Sequence, residues 1–152
     1  MATRPRSPRT PRPAQQHELA FHALESLTEN VAVLDEHGIT LAANRAWRAF
    51  MAALTDVADA WRDFDFLALL DNAPPGSVIP GARMAAAIRA AITGESGEPG
   101  FDYSCPTRWG LRWFSVRVAD YPGPPPGKVV VTIVDITAQK EILFNLSGTV
   151  FG

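Results

Sequence analysis

The side chains that could carry chemistry include a single cysteine, Cys105, which precedes Pro106. A lone cysteine cannot form an intramolecular disulfide. A Cys-Pro pair can ligate haem through its thiolate, because the proline turns the chain and exposes the sulfur, and a redox sensor would need a lowered thiol pKa and solvent access. Cys105 also shares one face of an alternating segment with Phe101 and Tyr103. We therefore expect a small buried residue, with a haem or redox sensor as the alternative.

The histidines and carboxylates do not form a catalytic set. His17 and His22 fall in a predicted helix and His37 in a predicted turn, so all three are expected at the surface. The carboxylates near the predicted strands, which fall at strand ends or on the polar face, are Asp35, Asp102, Asp120 and Asp135. A small isomerase or hydratase needs a carboxylate or histidine pair inside a pocket. The sequence thus predicts no catalytic residues and no metal site, and a small enzyme on an α+β scaffold is an alternative.

The composition predicts one globular domain behind a basic tail. The chain has 152 residues, 47% apolar and 20% charged, with a net charge of −2, so it has no strong overall attraction for nucleic acid or a membrane surface. The apolar runs are too short to span a bilayer and none follows the basic start, which indicates a cytoplasmic protein. Residues 1–15 are rich in arginine and proline and are expected to be a disordered tail. Contact of this tail with a polyanion is a third functional alternative.

Hydrophobic periodicity changes along the chain from helical to extended. Residues 16–28 have apolar side chains at helical spacing, residues 31–34 and 39–42 are β-prone around the turn "DEHG", and Asn44 precedes a second helix. A further helix is predicted at 80–93. Period-two alternation follows in "GFDYSCP", "RWFSVRVAD" and "KVVVTIVD". These elements are best buried as one five-stranded antiparallel sheet with short helices on one face and a preceding N-terminal helix, an α+β fold.

Three segments together carry a family resemblance. "VAVLDEHGITLAANRAWRAF" has an Asp-x-x-Gly turn at Asp35 and Gly38, then Asn44 ahead of a helix; "RWFSVRVAD" has a Trp-Phe strand; and "VVVTIVDITAQKE" ends a strand with Asp-Ile-Thr. In this order, over residues 17–141, the chain resembles the PAS (Per-Arnt-Sim) sensory domain of bacterial signal-transduction proteins. The resemblance implies a non-catalytic sensory or protein-interaction module, such as the sensor part of a histidine kinase or cyclase-type protein.

The resemblance also implies an output at the end of the last strand. In PAS proteins an Asp-Ile-Thr junction, here Asp135, Ile136 and Thr137, joins the sheet to a helix that leads to the next domain. Asp135 and Thr137 can also cap that helix by accepting backbone N–H bonds. Both roles are compatible, because coupling would use the cap. A downstream signalling protein or effector domain is the expected partner.

The curved sheet and its helices are expected to enclose a small apolar pocket. The lining residues predicted from strand alternation and helix spacing are Val31, Val33, Met84, Ile88, Phe101, Tyr103, Phe114, Val116, Val131 and Ile133. Tyr103 has a polar group for a small ligand. The Asn-Cys-Arg-Phe-Leu run of flavin-binding relatives is absent, and no histidine lies where haem-binding relatives place one. No cofactor is therefore expected, while haem or another small ligand stays open.

The outer face of the predicted sheet is also apolar. Val130, Thr132 and Val134 point away from the pocket and leave a stripe that needs cover. The helix at 17–28 has an apolar side that can cover this stripe within one chain or across two. We therefore expect a homodimer.

The predicted boundaries follow from these assignments. Residues 16–141 form the domain, and residues 142–152 form a short C-terminal extension in which Gly148 argues against a long helix. The chain is expected to act either alone or as the sensory piece of a longer protein.

Overall fold

The computed structural model describes residues 12–55, 59, 61–75, 77, 79–95, 97–108 and 110–151. Within these residues the elements are α1 Pro13–Ser26, β1 Asn30–Leu34, β2 Thr40–Ala43, α2 Arg45–Thr55, α3 Phe66–Asp71, α4 Gly81–Thr93, β3 Gly100–Thr107, β4 Gly110–Asp120, β5 Val129–Asp135 and α5 Thr137–Phe151. The strands form a five-stranded antiparallel sheet in the order β2-β1-β5-β4-β3. Residues of α2, α3 and α4 share one core with the inner face of this sheet. The predicted α+β fold is confirmed.

The turn between β1 and β2 is built by Asp35 and Gly38. The Oδ1 atom of Asp35 accepts hydrogen bonds from the backbone N–H of His37 and of Ile39, at 2.8 and 2.9 Å. Gly38 has φ of 83°, a conformation that glycine adopts without steric cost. Its carbonyl accepts a bond from the backbone N–H of Phe66 at 3.0 Å, so the turn also holds the start of α3. The turn predicted from "DEHG" is therefore present and joins two layers of the domain.

Asn44 connects three elements through its side chain. Its Oδ1 atom accepts bonds from the backbone N–H of Trp47 at 2.9 Å, which caps α2, and of Val31 at 3.0 Å, which lies in β1. Its Nδ2 atom donates to the carbonyl oxygens of Leu24 and Glu29, at 3.1 and 2.7 Å. The predicted cap therefore also fixes the connection between α1 and β1.

The direction of the β1 side chains differs from the prediction. Ala32 is buried in the core, whereas Val31 and Val33 are half-buried on the opposite face of the sheet. Ala32 pairs directly with Val131 of β5, and residues directly opposite in an antiparallel pair share a face. The prediction that Val31 and Val33 line an inner pocket was wrong. All four side chains of "VAVL" are apolar, so alternation could not define which pair faces inward.

Two helix boundaries also differ from the prediction. α1 begins at Pro13, before the predicted residue 16, because proline suits the first turn of a helix and the Gln15 side chain accepts a bond from the Arg12 N–H at 3.0 Å. Residues 13–15 are thus helical and not part of a disordered tail, while residues 1–11 lie outside the described residues. α5 continues through Gly148 to Phe151, so residues 142–151 of the predicted short extension are part of a longer helix. A single interior glycine costs only about 1 kcal/mol.

Candidate functional site

The residues predicted to line an inner pocket, other than those of β1, meet in one core cluster. Met84 and Ile88 of α4 are fully buried above Val116, Val131 and Ile133 of the sheet. The large buried residues that the pocket prediction did not include are Leu34, Trp47, Met51, Phe66 and Leu70. They come from the hairpin and from α2 and α3. The apolar faces of these elements were the sequence pattern that could have placed them in the core.

Tyr103 is a polar residue of this core with an unsatisfied group. Its ring stacks on Phe114, with centroids 5.3 Å apart and an interplanar angle of 25°, and approaches Phe101 at 6.2 Å. Its hydroxyl is buried and has no hydrogen-bond partner. Burial, and to a smaller extent the nearby Cys105 thiol, raise the pKa of the Tyr103 hydroxyl above its usual value. The hydroxyl is therefore a protonated donor at any physiological pH.

Cys105 does not have the surroundings of a reactive thiol. The residue is 3% exposed, as expected from its position beside Phe101 and Tyr103 on the inner face. Burial, followed by the charge of Asp135, raises the pKa of the thiol above its usual value. The neutral thiol is favoured, whereas metal ligation and nucleophilic attack require the thiolate.

The histidines lie at the surface, as expected. His17 and His22 are exposed on α1, and His37 is exposed in the turn after β1, where its Nε2 atom lies 3.5 Å from Glu36. Within the described ranges there is no group of three or more His, Cys, Asp or Glu side chains arranged to hold a metal ion.

The junction between β5 and α5 is a compact hydrogen-bonded cluster. The Oδ1 atom of Asp135 accepts bonds from the backbone N–H and the hydroxyl of Thr137, at 3.0 and 2.6 Å. Its Oδ2 atom accepts bonds from Nε and Nη2 of Arg112, at 3.2 and 2.6 Å. Burial opposes ionisation of Asp135, but the bonds from Thr137 and Arg112 together outweigh it, and the pKa of Asp135 lies below its usual value. The carboxylate therefore links two strands to the first turn of α5.

Strand β4 takes part in the same cluster through its backbone. The N–H of Trp113 donates to the Thr137 hydroxyl oxygen at 2.9 Å, and the Trp113 carbonyl accepts from the N–H of Ile136 at 2.8 Å. Thr137 is 4% exposed. Loss of the partners of a buried hydroxyl that both donates and accepts costs free energy. The first turn of α5 is therefore held at a defined position beside β4.

Beyond its first turn, α5 lies across the outer face of β3 and β4. The Nζ atom of Lys140 is 3.3 Å from the Asp102 carboxylate and 4.9 Å from the centre of the Trp113 ring. The Phe144 ring lies 6.3 Å from that of Trp113. A charge pair and a cation–π contact thus hold the helix against the sheet.

Solved structures with a similar fold include PAS domains. The PAS domain of BvgS from Bordetella pertussis has a TM-score of 0.53 at 18% identity, covering 89% of this chain and 96% of that one. The photoactive yellow protein domain of the sensor histidine kinase Ppr from Rhodospirillum centenum has a TM-score of 0.51 at 12% sequence identity. The match covers 75% of this chain and 91% of that domain. The chain has the PAS fold. The phage VqmA–DPO complex has a TM-score of 0.56 at 12% sequence identity, and the match covers 91% of this chain and 61% of that one. No protein-family profile and no curated protein matches the chain.

Two surfaces of this PAS fold expose large apolar side chains. On α1, Leu19 and Phe21 are 61% and 56% exposed. On α5, the exposed group consists of Ile142, Leu143, Phe144 and Leu146. Among the described residues, no helix is both long and apolar enough to cross a bilayer. Exposed clusters of this kind are typical of protein–protein contact sites.

Proposed function

We propose that this chain is a non-catalytic PAS module of signal transduction that passes a change in its sheet to α5 through Asp135, Ile136 and Thr137. The observation that carries the proposal is the buried Thr137 hydroxyl, which joins the backbone of β4 and the carboxylate at the end of β5 to the first turn of the helix. A shift of either strand alters these bonds, and the start of α5 moves or loosens with them.

The relation between this cluster and the core supports the same direction of coupling. Asp135 follows directly after Ile133 and Val134 in β5, and Ile133 is fully buried beside Val116 of β4. Well-packed interiors transmit a change in volume to their neighbours because they contain few voids. A ligand or partner that alters packing at this face of the sheet therefore acts on the junction without touching α5.

The coupling is tested by combining a small core change with removal of the junction hydroxyl. Ile133→Val removes one buried methylene from β5, and Ile88→Val makes the same change on α4 as the matched control. We expect Ile133→Val to speed amide hydrogen exchange in residues 137–146 while Ile88→Val does not. Thr137→Val should remove this difference, because the link itself is gone. If exchange in α5 responds equally to both core variants, or to neither, the junction is not an output and the proposal fails.

The partners of this module form a second part of the proposal. We infer a homodimer formed through α1 and the outer face of the sheet, together with a downstream signalling protein such as a histidine kinase. Phe21 and Leu24 of α1, with Val31, Val33 and Ala42, line a small apolar cleft of about 90 Å³ on that face. The exposed apolar side chains of α1 and α5 support a protein partner. The buried thiol of Cys105 supports a module without resident haem.

A further inference from the structure

An open groove of about 580 Å³ lies between the end of α4 and the loop that joins β4 to β5. Its walls include the Tyr121 ring, the loop residues Pro122, Pro124 and Pro126, and Ile92 of α4. The groove lies at the end of β4 away from the α5 junction, and the two sites share no residue.

The Tyr121 ring is held in place at this groove. A Cβ added at Gly123 would lie 2.6 Å from Cε1 of Tyr121, so the ring packs against the glycine backbone. The Nζ atom of Lys128 lies 5.6 Å from the ring centre, and the Tyr121 N–H donates to the Lys128 carbonyl at 3.0 Å. Tyr121 nevertheless stays 41% exposed. An exposed aromatic ring of fixed orientation is the kind of surface on which proline-rich segments pack.

Two carboxylates border the groove without an ion-pair partner. Asp120 lines it, and Glu95 lines an adjoining groove of about 280 Å³ that shares Ala91 and Asp120. Both are exposed, and neither forms a salt bridge among the described residues. Lys128 is the only cation among the described residues that line the two grooves. The combined surface is therefore negative and favours a cationic occupant.

The segment before α1 has the complementary charge and a regular repeat. Residues 5–13 read Pro-Arg-Ser, Pro-Arg-Thr and Pro-Arg-Pro, so proline and arginine each recur at every third position. A polyproline II helix has three residues per turn, so this repeat would place the prolines on one edge and the arginines on another. Arg12, the last arginine of the repeat, has φ of −63° and ψ of 154°, which are typical of that helix.

Charge and length favour the chain's own tail as the occupant. Residues 1–12 contain four of the 14 basic residues and none of the 16 acidic ones, so the rest of the chain has a net charge of −6. A body of that charge repels a polyanion such as nucleic acid and attracts a basic segment. Eleven extended residues span up to roughly 36 Å. A domain of this size has a radius of gyration of roughly 14 Å, so the segment is long enough to reach the groove.

We propose that residues 5–12 dock in this groove of their own chain. The proline edge packs on the Tyr121 ring and the loop prolines, and the arginine edge faces Asp120 and Glu95. The third edge, which consists of a serine and a threonine, stays in solvent. The contact closes the groove to other ligands and holds the start of α1, which follows directly at Pro13.

The test is the broadening of amide NMR signals by a spin label on the tail. Ser7→Cys in a Cys105→Ala background places the label on the third edge, where it does not disturb the contact. We expect loss of signal at Gly94, Tyr121 and Gly123 in the isotopically labelled chain. The signals should recover in roughly 1 M salt, where the Debye length falls to about 3 Å.

Charge reversal separates docking from a fault in folding. Arg6→Glu with Arg9→Glu should abolish the broadening, and Glu95→Lys with Asp120→Lys should do the same, because like charges then face each other. Combining all four substitutions should restore it, since opposite charges are paired again. A variant that is merely misfolded would not recover in this way.

The matched control is Glu18→Lys with Glu141→Lys, which reverses two exposed carboxylates on α1 and α5 and should leave the broadening unchanged. The inference is overturned by broadening spread evenly over the domain, by broadening that survives either charge reversal, or by no recovery in the fourfold variant. Broadening of an isotopically labelled chain by a separate spin-labelled chain would make a second copy the occupant and also overturn it. The hydrogen-exchange test of the α5 junction uses another readout, so either proposal can fail without the other.

Discussion

Gly38 is the residue at which backbone conformation and packing act together. Its φ is 83°, and an added Cβ would lie 2.5 Å from Cδ1 of Leu67. Gly94, at the end of α4, has a similar φ of 72° but no heavy atom within 4 Å of an added Cβ. The two positions therefore separate the cost of a left-handed backbone from the cost of a steric clash.

We expect Gly38→Ala to lower the free energy of unfolding more than Gly94→Ala does. The left-handed backbone alone costs an alanine roughly 1–2 kcal/mol, which applies to both variants. Only Gly38→Ala must also displace Leu67 of α3. Urea denaturation of the two variants measures the difference, and equal losses would show that Leu67 moves aside at little cost.

Cys105 permits a second prediction at the level of one side chain. Cys105→Ala should cost about 1 kcal/mol of unfolding free energy, as for a small truncation in a packed interior, and should leave the oligomeric state unchanged. The native thiol should react slowly with a bulky thiol reagent, because it is buried and its pKa is raised. Rapid labelling under native conditions would contradict the structure here and favour the redox alternative.

Residue types that impose their own local geometry were predictable from the sequence, and those that depend on pairing were not. The turn bonds of Asp35, the φ of Gly38 and the Asn44 cap on Trp47 are local, so spacing alone identified the turn and the cap. The distant bonds of Asn44 to Leu24 and Glu29 were not predicted. The direction of Val31 and Val33 depends on register with β5, which a wholly apolar segment does not encode. The burial of the Tyr103 hydroxyl depends on the pairing of β3 with β4, which stacks the Tyr103 ring on Phe114.

At the level of elements, the end of β5 and the start of α5 are held by one carboxylate. Asp135 bonds to Thr137 of the helix and to Arg112 of β4. Asp135→Ala should therefore leave the sheet folded and speed hydrogen exchange in residues 137–146, because a helix segment of a few turns is marginal without its cap. Strands 112–118 and 129–134 should keep their protection. Loss of protection in sheet and helix together would place Asp135 in the core, and no change at all would mean that the cap is idle.

The lowered pKa of Asp135 predicts how the stability of the fold changes with pH. The pKa of Asp135 is lower in the folded chain than its usual value, so its stabilising effect is present above the ordinary aspartate pKa of about 3.9 and is lost as pH falls through the folded pKa. The difference in unfolding free energy between the native chain and Asp135→Asn should be largest near neutral pH and shrink in acid. A difference that grows in acid would have the wrong sign for an ionised Asp135.

The terminal helix was only partly predictable at this level. The polar positions after β5 identified its start at Thr137, but Gly148 suggested an early end, and α5 reaches Phe151. One interior glycine lowers the stability of a helix only modestly. The contacts of Lys140 and Phe144 with Trp113 hold α5 against the sheet. Such contacts join positions far apart in the chain and leave no local pattern.

At the scale of the domain, two helices lie on the outer face of the sheet among the described residues. α5 covers β3 and β4 through Lys140 and Phe144, and α1 stands over β1 and β2 at Phe21 and Leu24. α1 itself has no buried residue in the described structure, although Glu25 binds Arg48 of α2 with two hydrogen bonds at 2.8 and 2.7 Å. A helix tied at one end, with its apolar side in solvent, is suited to contact a second copy of the chain.

The proposed contact through α1 should be sensitive to charge. Phe21→Glu combined with Leu24→Glu places two charges on the apolar side of α1, and burying them in a partner would cost more than the contact provides. We expect light scattering to give the mass of a dimer for the native chain and of a monomer for this double variant. Tyr121→Glu, which changes an exposed side chain in the loop after β4 and off the face of the sheet, is the control and should remain dimeric. If the double variant keeps the dimer mass, α1 covers only its own sheet, and the exposed side chains of α5 become the candidate surface for assembly.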